Sequence, residues 1–97
     1  MRGMAAFLLS CMVGLASAAD EDTPITTQAE LLAWCQAESE AWFVGRQLTP
    51  YNWSASFWEK GNVLYVKGSW RVGSQDREVE CSVARGARTR YAMMNVR

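Results

Sequence analysis

The sequence predicts a two-layer α+β domain, one N-terminal helix packed on a four-stranded antiparallel β-meander and joined to it by a single disulfide. Three observations lead there. Apolar residues recur at helical spacing across residues 28–44, they alternate with polar residues from residue 53 onward, and Cys35 and Cys81 fall one in each half. A helix followed by consecutive hairpin strands places the helix on one face of an antiparallel sheet.

Ahead of the helix, residues 1–19 read as a cleaved signal peptide of bacterial type. Arg2 supplies the positive charge, and the apolar run over residues 4–15 is well short of the roughly 20 residues that span a bilayer. Ala16-Ser17-Ala18 and Ser17-Ala18-Ala19 both carry the small-residue pattern of a cleavage site, so the cut falls after Ala18 or Ala19. Leu8-Leu9-Ser10-Cys11 loosely resembles a lipobox, which would anchor a lipidated Cys11 to the outer membrane. That cut would leave a very short apolar core and strand residues 12–15 outside it. Cleavage of the whole segment removes Cys11 and leaves one pair of cysteines, which in an oxidising compartment bridge. The alternative is two buried free thiols.

Residues 20–26 are polar, contain Pro24, and read as a flexible leader to a single domain over 27–97. About 78 residues remain after cleavage, and a core of that size often needs a staple. Closing the Cys35–Cys81 loop contributes roughly 4 kcal/mol on the chain-entropy argument, comparable with the whole stability of such a domain.

Thr27-Gln28-Ala29-Glu30 has the capping-box pattern, so the helix starts there, and Gly45 is the expected residue just past its end. At 100° per residue Leu31, Leu32, Cys35, Trp42 and Phe43 share one face with Ser39 among them. Glu30, Ala33, Ala37 and Glu40 lie opposite. The connection over 46–52 is broken by Pro50.

The period then changes to two. Trp53, Ala55 and Phe57 form the inner face of a first strand, with Ser54, Ser56 and Trp58 outside. Lys60-Gly61-Asn62 supplies a hairpin turn. Leu64, Val66, Gly68, Trp70 and Val72 point inward from the second strand, and Tyr65, Lys67, Ser69 and Arg71 outward. A turn centred on Ser74-Gln75 pairs Val72 with Arg77, Trp70 with Val79 and Gly68 with Cys81, which sets Arg71 opposite Glu78. Gly68 then leaves room for the helix and its disulfide. Gly86 turns the chain into a fourth strand over 91–96, with Ala92, Met94 and Val96 inward.

Formal net charge is zero, and it is unevenly spread. Residues 20–45 hold six acids and no base, whereas residues 46–97 hold nine bases and four acids. Histidine is absent, both remaining cysteines are bridged, and no phosphate-cradling loop or metal-ligand spacing occurs. Glu78 and Glu80, about 7 Å apart on one strand face, read as partners of Lys67 and Arg71 rather than as an acid–base pair. An enzyme, a metal and a cofactor are therefore not expected.

The candidate binding surface is the outer-face set Trp58, Tyr65, Lys67, Arg71 and Tyr91, aromatics interleaved with bases. Three readings follow from it. The leading one is a periplasmic or secreted, non-catalytic module that binds an envelope protein. The second is a binder of cell-wall or surface glycan through the same rings. The third is an inhibitor of an envelope enzyme, presenting the 46–52 loop. A nucleic-acid partner fits neither the compartment nor the charge, and a membrane span is not expected after cleavage. Asn52-Trp53-Ser54 is a glycosylation triplet of the kind that arises by chance.

Overall fold

The computed structural model describes residues 23–97. The signal peptide expected at 1–19, with Cys11 and its alternative fate, lies outside the described residues.

Helix α1 (Gln28–Val44) begins at the expected capping box. The Glu30 N–H donates to Thr27 Oγ1 at 3.2 Å, and the Thr27 N–H donates to Glu30 Oε1 at 3.1 Å. Glu30 Oε1 also accepts from the Thr26 N–H at 2.8 Å and the Thr26 hydroxyl at 3.0 Å. These donors favour the ionised carboxylate and hold it below its ordinary value, the Thr26 backbone N–H most of all.

The helix ends at Val44 with Gly45 just past it, as expected, but Gly45 does not supply the left-handed turn. Gly45 stays right-handed at φ −63°, and the left-handed residue is Gln47 at φ 64°. The Gln47 N–H bonds the Val44 carbonyl at 2.9 Å and the Leu48 N–H bonds the Phe43 carbonyl at 3.0 Å, the two bonds of a Schellman ending. Arg46 lies 3.6 Å from the Trp42 ring centre and donates to the Trp42 carbonyl at 3.1 Å, a cation at the negative end of the helix.

Strands β1 (Pro50–Lys60), β2 (Val63–Val72), β3 (Gln75–Ala84) and β4 (Met93–Val96) form one antiparallel sheet in chain order. Lys60 pairs with Val63 and Val72 with Gln75, so both hairpins have two-residue loops. Gly61 at φ 61° and Gly73 at φ 64° supply the positive φ that such tight turns demand at their first central position.

The second turn corrects the expected register. Trp70 pairs with Arg77, Gly68 with Val79, Val66 with Cys81 and Leu64 with Val83, a slip of two residues. Because side chains alternate with period two, every residue keeps its face while changing its partner. Arg71 therefore meets Asp76, not Glu78.

Strand β1 starts at Pro50, earlier than expected, and absorbs much of the 46–52 connection. A bulge between Tyr51 and Ser54 restores the alternation, with Asn52 at φ 56°. The expected leader is also docked from Thr23 onward. Pro24 bridges to Arg88, the Ile25 N–H bonds the Ala87 carbonyl at 2.9 Å, and the Ile25 side chain is buried in the core.

The core lies between α1 and the inner sheet face. Leu31, Cys35, Ser39 and Phe43, spaced by four, meet Leu64, Val66, Trp70, Val79, Cys81 and Val83. Each fully buried Leu, Val or Phe contributes about 1.5–3 kcal/mol. The Cys35–Cys81 disulfide crosses this layer with its Cα atoms 6.0 Å apart. The room above Gly68 is taken not by the disulfide but by Trp53, whose indole lies where a Cβ on Gly68 would stand. Trp53 in turn packs on Trp70 with ring centres 4.9 Å apart.

Candidate binding face

The helix covers one face of the sheet, and among the described residues no element packs on the other. Pairing across the strands arranges that outer face in rows. Trp58, Tyr65, Ser82 and Met93 form the first, and Ser56, Lys67, Glu80 and Asn95 the second. Ser54, Ser69 and Glu78 form the third, and Tyr51, Arg71 and Asp76 the fourth.

The aromatic end is built as expected. Trp58 and Tyr65 are directly paired, and their rings stack 5.3 Å apart with 6° between planes. Each ring therefore gives one face to the other. Trp58 remains 42% exposed. Six residues further along β2, roughly 20 Å away, Arg71 Nε lies 3.0 Å from Asp76 Oδ1. Beside it the Tyr51 hydroxyl donates to the Gly73 carbonyl at 3.0 Å, which pins the start of β1.

Between the two ends small side chains leave a shallow depression of about 370 Å³, lined chiefly by Ser54, Ser56, Ser69, Lys67 and Glu78. Lys67 Nζ stands 3.8 Å from Glu78, and Arg97 reaches Glu80 at 3.1 Å and Glu78 at 3.8 Å. Glu78 and Glu80 are thus partners of bases, as the sequence indicates, with Arg97 in the place expected for Arg71. These ion pairs are exposed and each adds at most about 1 kcal/mol. Their effect on the face is to neutralise it locally.

Tyr91 does not join this group. The chain makes a 3₁₀ turn over Thr89–Tyr91 before β4 begins, and Tyr91 is exposed beside the Arg90 guanidinium, 5.4 Å from its ring centre. Met93 takes the expected aromatic's place at the end of the first row, across from Ser82 and largely exposed. The alternation that turns Ala92, Met94 and Val96 inward already implies an outward Met93. Phe57, expected in the core, is on the inner face but 50% exposed, because β1 is the edge strand.

Among the described residues, no three of His, Cys, Asp and Glu gather as metal ligands, and no helix is long and apolar enough to cross a membrane. No protein-family model, curated protein or solved structure matches the chain.

Proposed function

We propose that this chain is an exported, non-catalytic binding module whose open sheet face recognises a protein of the cell envelope. The observation that carries the reading is the outer face itself. A stacked Trp58–Tyr65 pair stands at one end of a neutral, serine-lined strip over which, among the described residues, no second layer packs. Exposed Trp and Tyr anchors are what protein interfaces concentrate at their centres, and the small serines beside them leave room for a partner's side chains. The buried disulfide fits an oxidising compartment outside the cytoplasm.

A protein partner is favoured over a glycan by the stacking. Sugar rings lie flat on free aromatic faces, and here each ring has already committed one face to its neighbour. The inhibitor reading loses support because the 46–52 segment is held in β1 from Pro50 and tied through Tyr51 to Gly73.

The test is a crosslinked pull-down of the oxidised protein from intact envelopes, run beside Trp58→Ala with Tyr65→Ala. One reproducible protein captured by the parent and lost with the variant supports the reading. Equal capture by both removes the outer face from it, and co-sedimentation with purified peptidoglycan in place of a protein replaces it with glycan binding.

A further inference from the structure

The free edge of β1 has a self-complementary middle. We infer that two copies of this chain pair antiparallel through β1 about a twofold axis at Ala55, joining their sheets edge to edge. This inference concerns the edge and does not rest on the reading of the outer face.

The backbone phase comes from the hairpin. A two-residue loop makes its flanking pair, Lys60 and Val63, a hydrogen-bonded one, and bonding alternates from there. Ser54, Ser56, Trp58 and Lys60 thus bond to β2. Ala55, Phe57 and Glu59 direct their N–H and C=O groups to the free edge, where no other strand pairs among the described residues, and Trp53 stands in the bulge before Ser54.

The sequence over those positions is Trp53-Ser54-Ala55-Ser56-Phe57, which reads aromatic, Ser, Ala, Ser, aromatic in either direction. A twofold axis at Ala55 sets Ala55 against Ala55, Ser54 against Ser56, and Phe57 against the other copy's Trp53. Ala55 meets its own copy for two hydrogen bonds, and each Phe57 adds up to two more with the bulged Trp53 opposite, giving roughly two to six bonds between copies. Phe57 is half exposed on the helix side, and this pairing covers it with an aromatic neighbour.

The flanks limit the contact to this stretch. Pro50 and the Asn52 bulge end regular pairing on one side, and Glu59 and Lys60 end it on the other. No charge lies between Tyr51 and Trp58, so two copies meet without repulsion. An isologous pair uses up both β1 edges and closes, which prevents open-ended growth. The exposed parts of Phe57 and Trp58 in both copies together offer only about 400 Å², well below the ~1,000 Å² at which stable specific interfaces begin. The dimer is therefore weak, forming in the micromolar range and above.

Sedimentation equilibrium of the oxidised protein, from micromolar to millimolar concentration, tests this beside Phe57→Lys and Ala55→Pro. The first variant sets a charge at the contact, and the second removes an edge-facing N–H without touching the β1–β2 ladder. A concentration-dependent doubling of mass in the parent, with dissociation shifted at least tenfold in each folded variant, is the expected result. A parent that stays monomeric throughout, or a dimer that the folded variants leave unchanged, overturns it. Should one variant fail to fold, the other decides.

Discussion

Trp70 Nε1 donates a 2.8 Å hydrogen bond to Ser39 Oγ across the buried contact between sheet and helix. The same hydroxyl donates to the Cys35 carbonyl one turn back, at 2.6 Å. This pair explains a serine at the centre of an apolar helical stripe. An indole N–H taken out of water needs an acceptor, and Ser39 supplies it while its own proton is used within the helix. Ser39→Ala leaves that N–H unpaired and should destabilise the fold by about 1–3 kcal/mol in urea unfolding. Trp70→Phe in the Ser39→Ala background should cost less than it does alone, since the orphaned donor goes with it.

The neighbouring disulfide makes a larger contribution. Replacing both Cys35 and Cys81 by Ala should cost about 2–5 kcal/mol, enough to unfold much of a domain this small at physiological temperature. Thermal unfolding followed by far-UV circular dichroism checks it. Both sulfurs belong to buried residues, so mild reductant should leave the native bridge intact and cleave it only after unfolding.

Gly68 and Trp53 form a second coupled pair. A Cβ at residue 68 would stand 2.1 Å from the Trp53 ring, so Gly68→Ala forces the indole aside. The expected cost is about 1–3 kcal/mol, with a change in tryptophan fluorescence as Trp53 leaves Trp70. Shortening the side chain with Trp53→Leu should reduce the cost of Gly68→Ala, and an unfolding double-mutant cycle reads the coupling.

The capping box gives a pH signature. Glu30 binds its proton less readily in the folded chain than in the unfolded one, whose value is near 4.5. Its contribution is therefore fully present above that pH and is lost as pH falls through the lower folded value. The melting temperature of the parent should exceed that of Glu30→Gln near neutrality, and the gap should narrow on acidification below about pH 4.5. Thr27→Ala, which removes the other half of the box, should cost about 1 kcal/mol.

These pairs mark where the sequence was legible. The Thr27–Glu30 capping box locates α1. The alternation of apolar residues identifies the strands and their inner faces, because burying one apolar face drives folding more than anything else and periodicity reports it directly. Which strand residues oppose each other depends on turn geometry. Gly73 closes a two-residue loop, and that shifts the β2–β3 partners by two positions while every face stays as the alternation requires. Ile25 was hidden in a polar stretch, since a lone apolar residue has no period; it is the Arg85–Thr89 segment folding back that gives it a place. The Trp58–Tyr65 stack was readable from the Gly61 hairpin, whose register has no bulge between the turn and the pair. Tyr91 was not, because nothing in the alternation signals the 3₁₀ turn that precedes β4.

The most direct measurement is site-specific photo-crosslinking in living cells. A photoreactive residue replacing Ser69, in the middle of the open face, is compared with one replacing Glu38, exposed on the helix side. If the outer sheet face binds an envelope protein, the residue 69 probe yields a discrete adduct heavier than two copies of this chain, and the residue 38 probe does not. Adducts from residue 38 alone, or the same adducts from both positions, would contradict it.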